Sequence, residues 1–224
     1  IMGIRLAIVG ARSTYCPELM QGLIRRKDIL SLDELRLTDI DASRLNIVGE
    51  FCERVLAANG LEQRITRTTD LACALDGADF VVAQIRAGKL EARIRDEKIP
   101  LGFGLIGQET TGIGGFTNAL RTIPQMGKIA DAVERYAPAA WLVNFSNPSG
   151  IVTEYLLNHT PIKAVGLCNL PIGAQERIAK LLGEMGSVIR HDHRHLHLAA
   201  SPEWHAVRTE LTRALRPYPQ AHAA

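Results

Sequence analysis

The sequence predicts an α/β fold, a doubly wound parallel sheet with helices on both faces. Three observations carry that expectation. Short apolar runs alternate with longer segments of helical periodicity, the pattern of successive βαβ units. One run, Phe80 to Gln84, is apolar almost without interruption, as a strand buried on both faces requires. The residue types that carry chemistry follow the ends of the predicted strands, where open parallel sheets bind their ligands.

Taken in order, Ile4 to Val9 is an apolar run ending at Gly10 and reads as the first strand. Pro17 to Arg26 reads as a helix, with proline at its start and basic residues at its end. Glu34 to Asp39 is the second strand. Ser43 to Ala58 places Leu45, Val48, Phe51 and Val55 at helical spacing and stops at Asn59-Gly60, a helix-ending pair. Ile65 to Thr68 is the third strand, Asp70 to Asp76 a short helix, and Phe80 to Gln84 the fourth strand. A long helix covers Thr117 to Tyr136. Trp141 to Phe145 and Ala164 to Leu167 are the fifth and sixth strands, with a helix from Pro148 to Leu157 between them. Strands and helices of these lengths in this alternation are Rossmann-like, with right-handed crossovers.

Composition narrows the function classes. The chain has 224 residues, 46% hydrophobic and 22% charged, with a net charge of +2 and the two signs interspersed. Nothing there calls for a nucleic-acid or acidic membrane partner. No apolar run approaches the roughly 18 residues of a membrane span. The opening residues lack a signal-peptide pattern, so the cytoplasm is the expected compartment. Cys16, Cys52, Cys73 and Cys168 are widely and irregularly spaced, which excludes a disulfide framework or a structural zinc site by pattern. Cys52 and Cys73 are expected to be small buried hydrophobes, and Cys16 to fill space beside the first loop.

The last 35 residues differ in kind. Six of the seven histidines lie at His191, His193, His195, His197, His205 and His222, and no glycine follows Gly186. Such a switch suggests a change of reading frame near residue 190. The alternative is a natural His-rich tail that binds metal non-specifically.

Five segments carry the chemistry. Gly10-Ala11-Arg12-Ser13-Thr14-Tyr15 joins the first strand to the first helix. A dinucleotide loop there needs a tight turn and free N–H groups to hold pyrophosphate; Gly10 serves the turn, and Ser13 and Thr14 supply hydroxyls. The second and third glycines of the usual G-x-G-x-x-G are absent. Asp39 ends the second strand, where a carboxylate accepts ribose hydroxyls and favours NAD over NADP. Asp41 or Ser43 suits the helix cap better, which leaves Asp39 as the ligand candidate. Gly107 to Phe116 is a glycine-rich loop entering the long helix. Asn144 to Gly150 offers amides that fix hydroxyls, or a plain helix start at Asn147-Pro148. Cys168, at the end of the sixth strand, suits a divalent metal or a nucleophile, or is a buried thiol.

Taken together these segments resemble the family 4 glycoside hydrolases. The matching stretches are Ile8-Val9-Gly10 with Ser13 to Leu19, Gly107 to Gly112, Leu120 to Pro124, Asn144 to Pro148, and Val165 to Gly173, in the family's order, from residue 4 to about residue 185. The resemblance implies a Rossmann domain at 1–167, followed at 168–224 by the incomplete start of a mixed α/β substrate and metal domain with the anomalous His-rich tail. It implies NAD and Mn²⁺ as cofactors and a glycoside substrate, often 6-phosphorylated. The family is an exception to the two-carboxylate mechanism. Hydride leaves C3 for NAD⁺, the metal polarises the resulting ketone, a base takes the C2 proton and the C1 group is eliminated; water then adds and the hydride returns.

By the same resemblance Cys168 is the metal ligand, and Asn147 and Asn169 are substrate contacts. Asn169 after the cysteine resembles the β-glucosidase pattern. Arg86 sits where the family places an arginine near the sugar phosphate, which suits the planar donors of a guanidinium. Glu109 resembles an acid close to substrate or metal. Two departures stand out. Ala11 and Arg12 replace family glycines, so that Arg12 either crowds the pyrophosphate or pairs with it. The family's metal-binding histidine context is missing; His197 follows Cys168 by 29 residues but lies in the tail. The catalytic base is expected beyond residue 224. The isolated chain is therefore expected to bind NAD and to be inactive as a glycosidase, with apolar surface left exposed unless another chain, as in a homo-oligomer, completes the fold. Competing readings are a lactate- or malate-type dehydrogenase, which lacks a suitably placed histidine here, and a non-enzymatic nucleotide-binding remnant.

Overall fold

The computed structural model describes residues 3–61 and 63–181. The chain divides into two compact units, Ile1–Cys168 and Asn169–Ala224. The first contains a six-stranded sheet in the order β3-β2-β1-β4-β5-β6, every neighbouring pair parallel. Its strands are β1 (Ile4–Val9), β2 (Leu32–Thr38), β3 (Arg64–Thr68), β4 (Phe80–Ala83), β5 (Trp141–Asn144) and β6 (Lys163–Gly166). Its helices are α1 (Cys16–Arg25), α2 (Ala42–Ala57), α3 (Leu71–Leu75), α4 (Lys89–Leu101), α5 (Gly112–Tyr136) and α6 (Ser149–His159). All six predicted strands are present, in the arrangement whose order reverses between β1 and β4.

Alternation along the strands sends side chains into two cores. On one face Leu6, Ile8, Leu35 and Leu37 pack with Met20 of α1 and Leu45, Cys52 and Leu56 of α2. On the other, Ala7, Val9, Val81 and Leu142 pack with Leu75 of α3, Met126 and Val133 of α5, and Val152 and Leu156 of α6. At about 25 cal/mol per Å² of apolar area, these two layers supply most of what holds the sheet.

Several expectations need correction. The buried stripe of α2 is Leu45, Gly49, Cys52 and Leu56, not the line through Phe51. Phe51 lies outward, under the Arg54 guanidinium at 6.0 Å from the ring centroid. Cys73 is exposed, because α3 is a single short helix whose inward positions are taken by Ala74 and Leu75. The glycine-rich segment is only half loop: α5 begins at Gly112, five residues before the predicted start. Its first turn lies against the preceding segment so closely that a Cβ on Gly114 would come 2.1 Å from the Gln108 carbonyl oxygen, and one on Gly115 2.4 Å from that of Thr110. The glycines there serve packing as well as turning.

Helix α4 was not expected. It buries only Ala92, Asp96 and Pro100, so it has no apolar stripe of period 3.6 to announce it. Its larger apolar side chains face out: Ile94 and Ile99 are exposed, as are Phe103 and Ile106 in the loop beyond. The second unit contains helix α7 (Asn169–Leu181), also unanticipated. The histidine-rich tail and the proposed frame change near residue 190 lie outside the described residues. Among the described residues no helix is long and apolar enough to cross a membrane.

Candidate functional site

Because the strands are parallel, the segments after β1, β2, β4, β5 and β6 all leave one edge of the sheet. After β1 the chain turns at Gly10, where φ is +88° and a Cβ would lie 2.7 Å from the Gln84 carbonyl oxygen. A glycine is required for this loop to lie against the end of β4. The Gly10 and Ala11 N–H groups both donate to the Thr38 carbonyl, at 3.0 and 3.1 Å, which ties the loop to the end of β2. Ser13 accepts from the Tyr15 N–H at 3.2 Å, and Thr14 is exposed. Helix α1 then opens with Pro17 in its first turn and no side-chain cap. The Tyr15 N–H already donates to Ser13 Oγ, the Cys16 N–H donates to the Ser13 carbonyl at 3.0 Å and Pro17 has no N–H, which leaves the Glu18 N–H of the first turn for an anion.

Asp39 stands immediately after β2. Its buried carboxylate accepts the Arg12 N–H at 3.3 Å and the Asp41 N–H at 3.1 Å, and pairs with Arg12 Nε at 3.3 Å. Asp41 takes the capping role, accepting the Arg44 N–H at 3.1 Å. That hydrogen bond, with Arg12 and Lys89 nearby, holds the Asp41 carboxyl below the usual carboxylate range. Arg12 Nη1 also reaches Asp41, at 3.4 Å. The guanidinium thus spans the two carboxylates.

Beneath the loop, Cys16 and Cys52 are fully buried. Gln84 Nε2 donates to Cys16 Sγ at 2.9 Å. Its neighbour Cys52 and burial push the Cys16 thiol far above its ordinary range, which suits a packing role.

After β4, Arg86 forms an ion pair with Glu109, and Glu109 also lies 3.4 Å from Arg93 Nη2. Two residues 23 positions apart are brought together by α4 and the start of α5. The junction is held by Asp96, which accepts from Thr117 Oγ1 at 3.0 Å and from Arg121 Nη1 at 2.8 Å, with a second contact from Arg121 Nη2. Burial pushes the Asp96 carboxyl up, but its hydrogen bonds from Arg121 and Thr117 prevail and its pKa is lowered. Arg93 and Glu97, at 2.8 Å, make an i,i+4 pair on α4.

After β5, three polar side chains serve the framework. Asn144 accepts the Ser146 N–H at 2.9 Å and donates to Thr153 Oγ1 at 3.1 Å. Ser146 Oγ donates to the Ala83 carbonyl at 3.2 Å and accepts the Ile85 N–H at 3.0 Å, joining the ends of β4 and β5. Ser149 Oγ donates to the Leu167 carbonyl at 3.1 Å, joining the end of β6. Asn147, half-buried, stands among them. Cys168 is half-buried two residues past β6. Asn169 is the first residue of α7, in the second unit. Among the described residues no three His, Cys, Asp or Glu side chains gather as a metal site; His197 is outside them.

Sequence reasoning placed Gly10, Ser13, Thr14, Asp39, Arg86, Asn147 and Cys168 at strand ends or the loops leading from them, and Glu109 in the glycine-rich segment before the long helix, where it stands between α4 and α5. It missed Arg12 as the partner of Asp39, the Asp96–Arg121 clamp and the Ser146 bridge. Only the i,i+4 pair Arg93–Glu97 left a local signal; the clamp joins residues 25 positions apart, which no spacing rule connects.

The reversed strand order, the glycine turn after β1, the uncapped start of α1 and the acidic residue after β2 define a protein of the Rossmann class. Within that class the model of family 4 glycosyl hydrolases matches residues 5–184. The chain belongs to that family. It is 48% identical over 183 residues to a Bacillus subtilis (strain 168) protein named "Probable 6-phospho-beta-glucosidase", covering 80% of this chain and 41% of the relative. A 6-phospho-beta glucosidase structure from Thermotoga maritima, with manganese, NAD⁺ and glucose-6-phosphate, superposes with a TM-score of 0.74 at 39% identity, covering 80% of this chain and 44% of that one. A 6-phospho-alpha-glucosidase structure from gut microorganisms, in complex with NAD and Mn²⁺, gives 0.76 at 35% identity, covering 81% and 42%. The chain thus spans less than half the length of these relatives. A lactate dehydrogenase from Eimeria maxima is 15% identical at a TM-score of 0.56, a likeness of fold alone.

Proposed function

We propose that this chain is the nucleotide-binding portion of an NAD- and divalent-metal-dependent 6-phospho-β-glucosidase. Residues 1–167 form the NAD-binding domain in this reading, and residues from 168 on begin the substrate and metal domain. The observation that carries it is the loop after β1. Gly10 holds the turn against β4, and the first turn of α1 lacks a side-chain cap. Together they suit pyrophosphate, with Ser13 and Thr14 beside it and Asp39 at the adenosine ribose. When bound, NAD supplies the redox chemistry.

Arg86, held by Glu109, is the residue proposed to meet the sugar phosphate, which would share the guanidinium with that carboxylate. Asn147 and Asn169 are proposed substrate contacts, and asparagine after Cys168 supports the β over the α anomer. Cys168 is the proposed metal ligand. The donors among the described residues do not by themselves make up a Mn²⁺ site. Hydrolysis is proposed for a protein of the relatives' length, and NAD⁺ binding without turnover for these 224 residues. The exposed apolar side chains of α4 and the loop after it support a homo-oligomer. A soluble cytoplasmic location accompanies the reading.

The test is a calorimetric titration of the chain with NAD⁺, with and without Mn²⁺, followed by p-nitrophenyl 6-phospho-β-glucoside. Saturable NAD⁺ binding is expected. Its absence overturns the reading. Release of p-nitrophenol would show instead that these residues carry the whole catalytic machinery.

A further inference from the structure

We infer that Arg12 sets the nucleotide preference of this site, admitting NADP⁺ alongside NAD⁺. The inference rests on the reading of the Gly10–Asp39 edge as a dinucleotide site and adds a specificity that Asp39 alone would not have. A lone carboxylate after β2 selects for NAD, because it accepts the ribose hydroxyls and repels a 2′-phosphate. Here that carboxylate is not alone. Arg12 Nε lies 3.3 Å from Asp39 and its Nη1 3.4 Å from Asp41. Its backbone N–H also donates to Asp39. The arginine is therefore anchored at both ends of its side chain, beside the oxygens that would meet the ribose.

Two consequences follow from charge and geometry. Arg12 offsets one of the two carboxylates that face this end of the edge, and the Lys89 ammonium is a second nearby cation acting on Asp41. A guanidinium also has five N–H donors, of which two groups are used here, so it can add a phosphate without releasing both carboxylates. The side chain is 22% exposed and its Asp41 partner 37%, so the guanidinium is open to solvent on that side while Asp39, at 4%, is not. A 2′-phosphate would meet the accessible face of Arg12 and leave the buried pair with Asp39 in place.

The experiment is a calorimetric titration of the full chain and its R12G and R12Q variants with NAD⁺ and NADP⁺ at fixed ionic strength. The wild type is expected to bind the two within about tenfold of each other. Loss of one charge-assisted contact corresponds to about a tenfold to hundredfold loss of NADP⁺ affinity in R12G, with NAD⁺ unchanged or tighter. R12Q keeps the length without the charge and follows R12G; it decides the matter should R12G not fold. A wild type that prefers NAD⁺ by more than about a hundredfold, or an NADP⁺/NAD⁺ ratio the same in the variants, overturns the inference while leaving the dinucleotide site intact. Equal weakening of both nucleotides in a folded variant also overturns it, since Arg12 would then serve the shared pyrophosphate. Failure of the wild type to bind either nucleotide overturns the site itself.

Discussion

At the β1–β2 end of the sheet edge, positions are set mainly by backbone geometry. Gly10 turns at positive φ against β4, two N–H groups converge on the Thr38 carbonyl, and the start of α1 is left uncapped. At the β4–β5 end, side chains set them. Arg86 reaches Glu109, Arg121 and Thr117 close on Asp96, and Ser146 bridges the two strand ends. A backbone-built site is specified by one glycine and one strand-turn-helix unit. A side-chain-built site needs several residues, far apart in sequence, to arrive together. The first should fail all at once and the second by degrees.

The largest effect is expected from Gly10→Val. The positive φ and the carbonyl 2.7 Å from its Cβ leave no relaxed rotamer, so about 3 kcal/mol of stability should be lost. Urea unfolding reads that loss, and NAD⁺ titration should show no binding. A variant of wild-type stability would mean that the loop is not tied to β4 as described.

Asp96→Ala should cost about 2 kcal/mol, less than for a fully buried pair because Arg121 is partly exposed. The loss should be local. Hydrogen exchange should rise in α4 and the first turns of α5 while β1 and α1 stay protected. Loss spread evenly over the sheet would remove the distinction between the two ends.

Ser146→Ala leaves the Ile85 N–H without its acceptor and should cost about 1 kcal/mol. NAD⁺ affinity should hold to within about threefold if the bridge serves only the β4–β5 end. A larger drop would couple the ends.

The smallest effect is a pH dependence. The folded Asp96 carboxyl titrates below its ordinary value. Its contribution is therefore fully present above the unfolded value of about 3.9 and is lost as pH falls through the lower folded value. Protection of α4 amides, corrected for intrinsic exchange, should decline below about pH 4 before that of β1. The Asp96→Asn variant should abolish the difference.

Much of the β1–β2 end was legible in the sequence because its signals are local. Val9-Gly10 marks a strand ending in a turn, Pro17 marks a helix start, and Asp41 stands at the cap position with Asp39 at the strand end before it. The identity of Arg12 was visible as a departure, but its partners were not, since Asp39 and Asp41 meet it only across β1 and β2. The other end was legible in its residue types and not in their connections. Helix α4 left no apolar stripe because its inward face is Ala92, Asp96 and Pro100. The glycines at 114 and 115 read as loop when they are helix, since what they relieve is a close approach by Gln108 and Thr110. Phe51 differs for the opposite reason: periodicity tells which residues share a face of a helix, while the layer above the sheet decides which face is turned in. Cys73 departs from the usual burial of a cysteine because Ala74 and Leu75 take the inward positions of α3.

The sequence by itself determined the alternation of strands and helices, the parallel sheet, the family and the roster of strand-end residues, because each depends on propensity, period and short motifs. Only the tertiary structure decided that Arg12 spans Asp39 and Asp41, that Asp96 clamps α5, and that Asn144, Ser146 and Ser149 are framework. Those outcomes depend on distances between segments far apart along the chain, which packing of the two cores sets and no local pattern encodes.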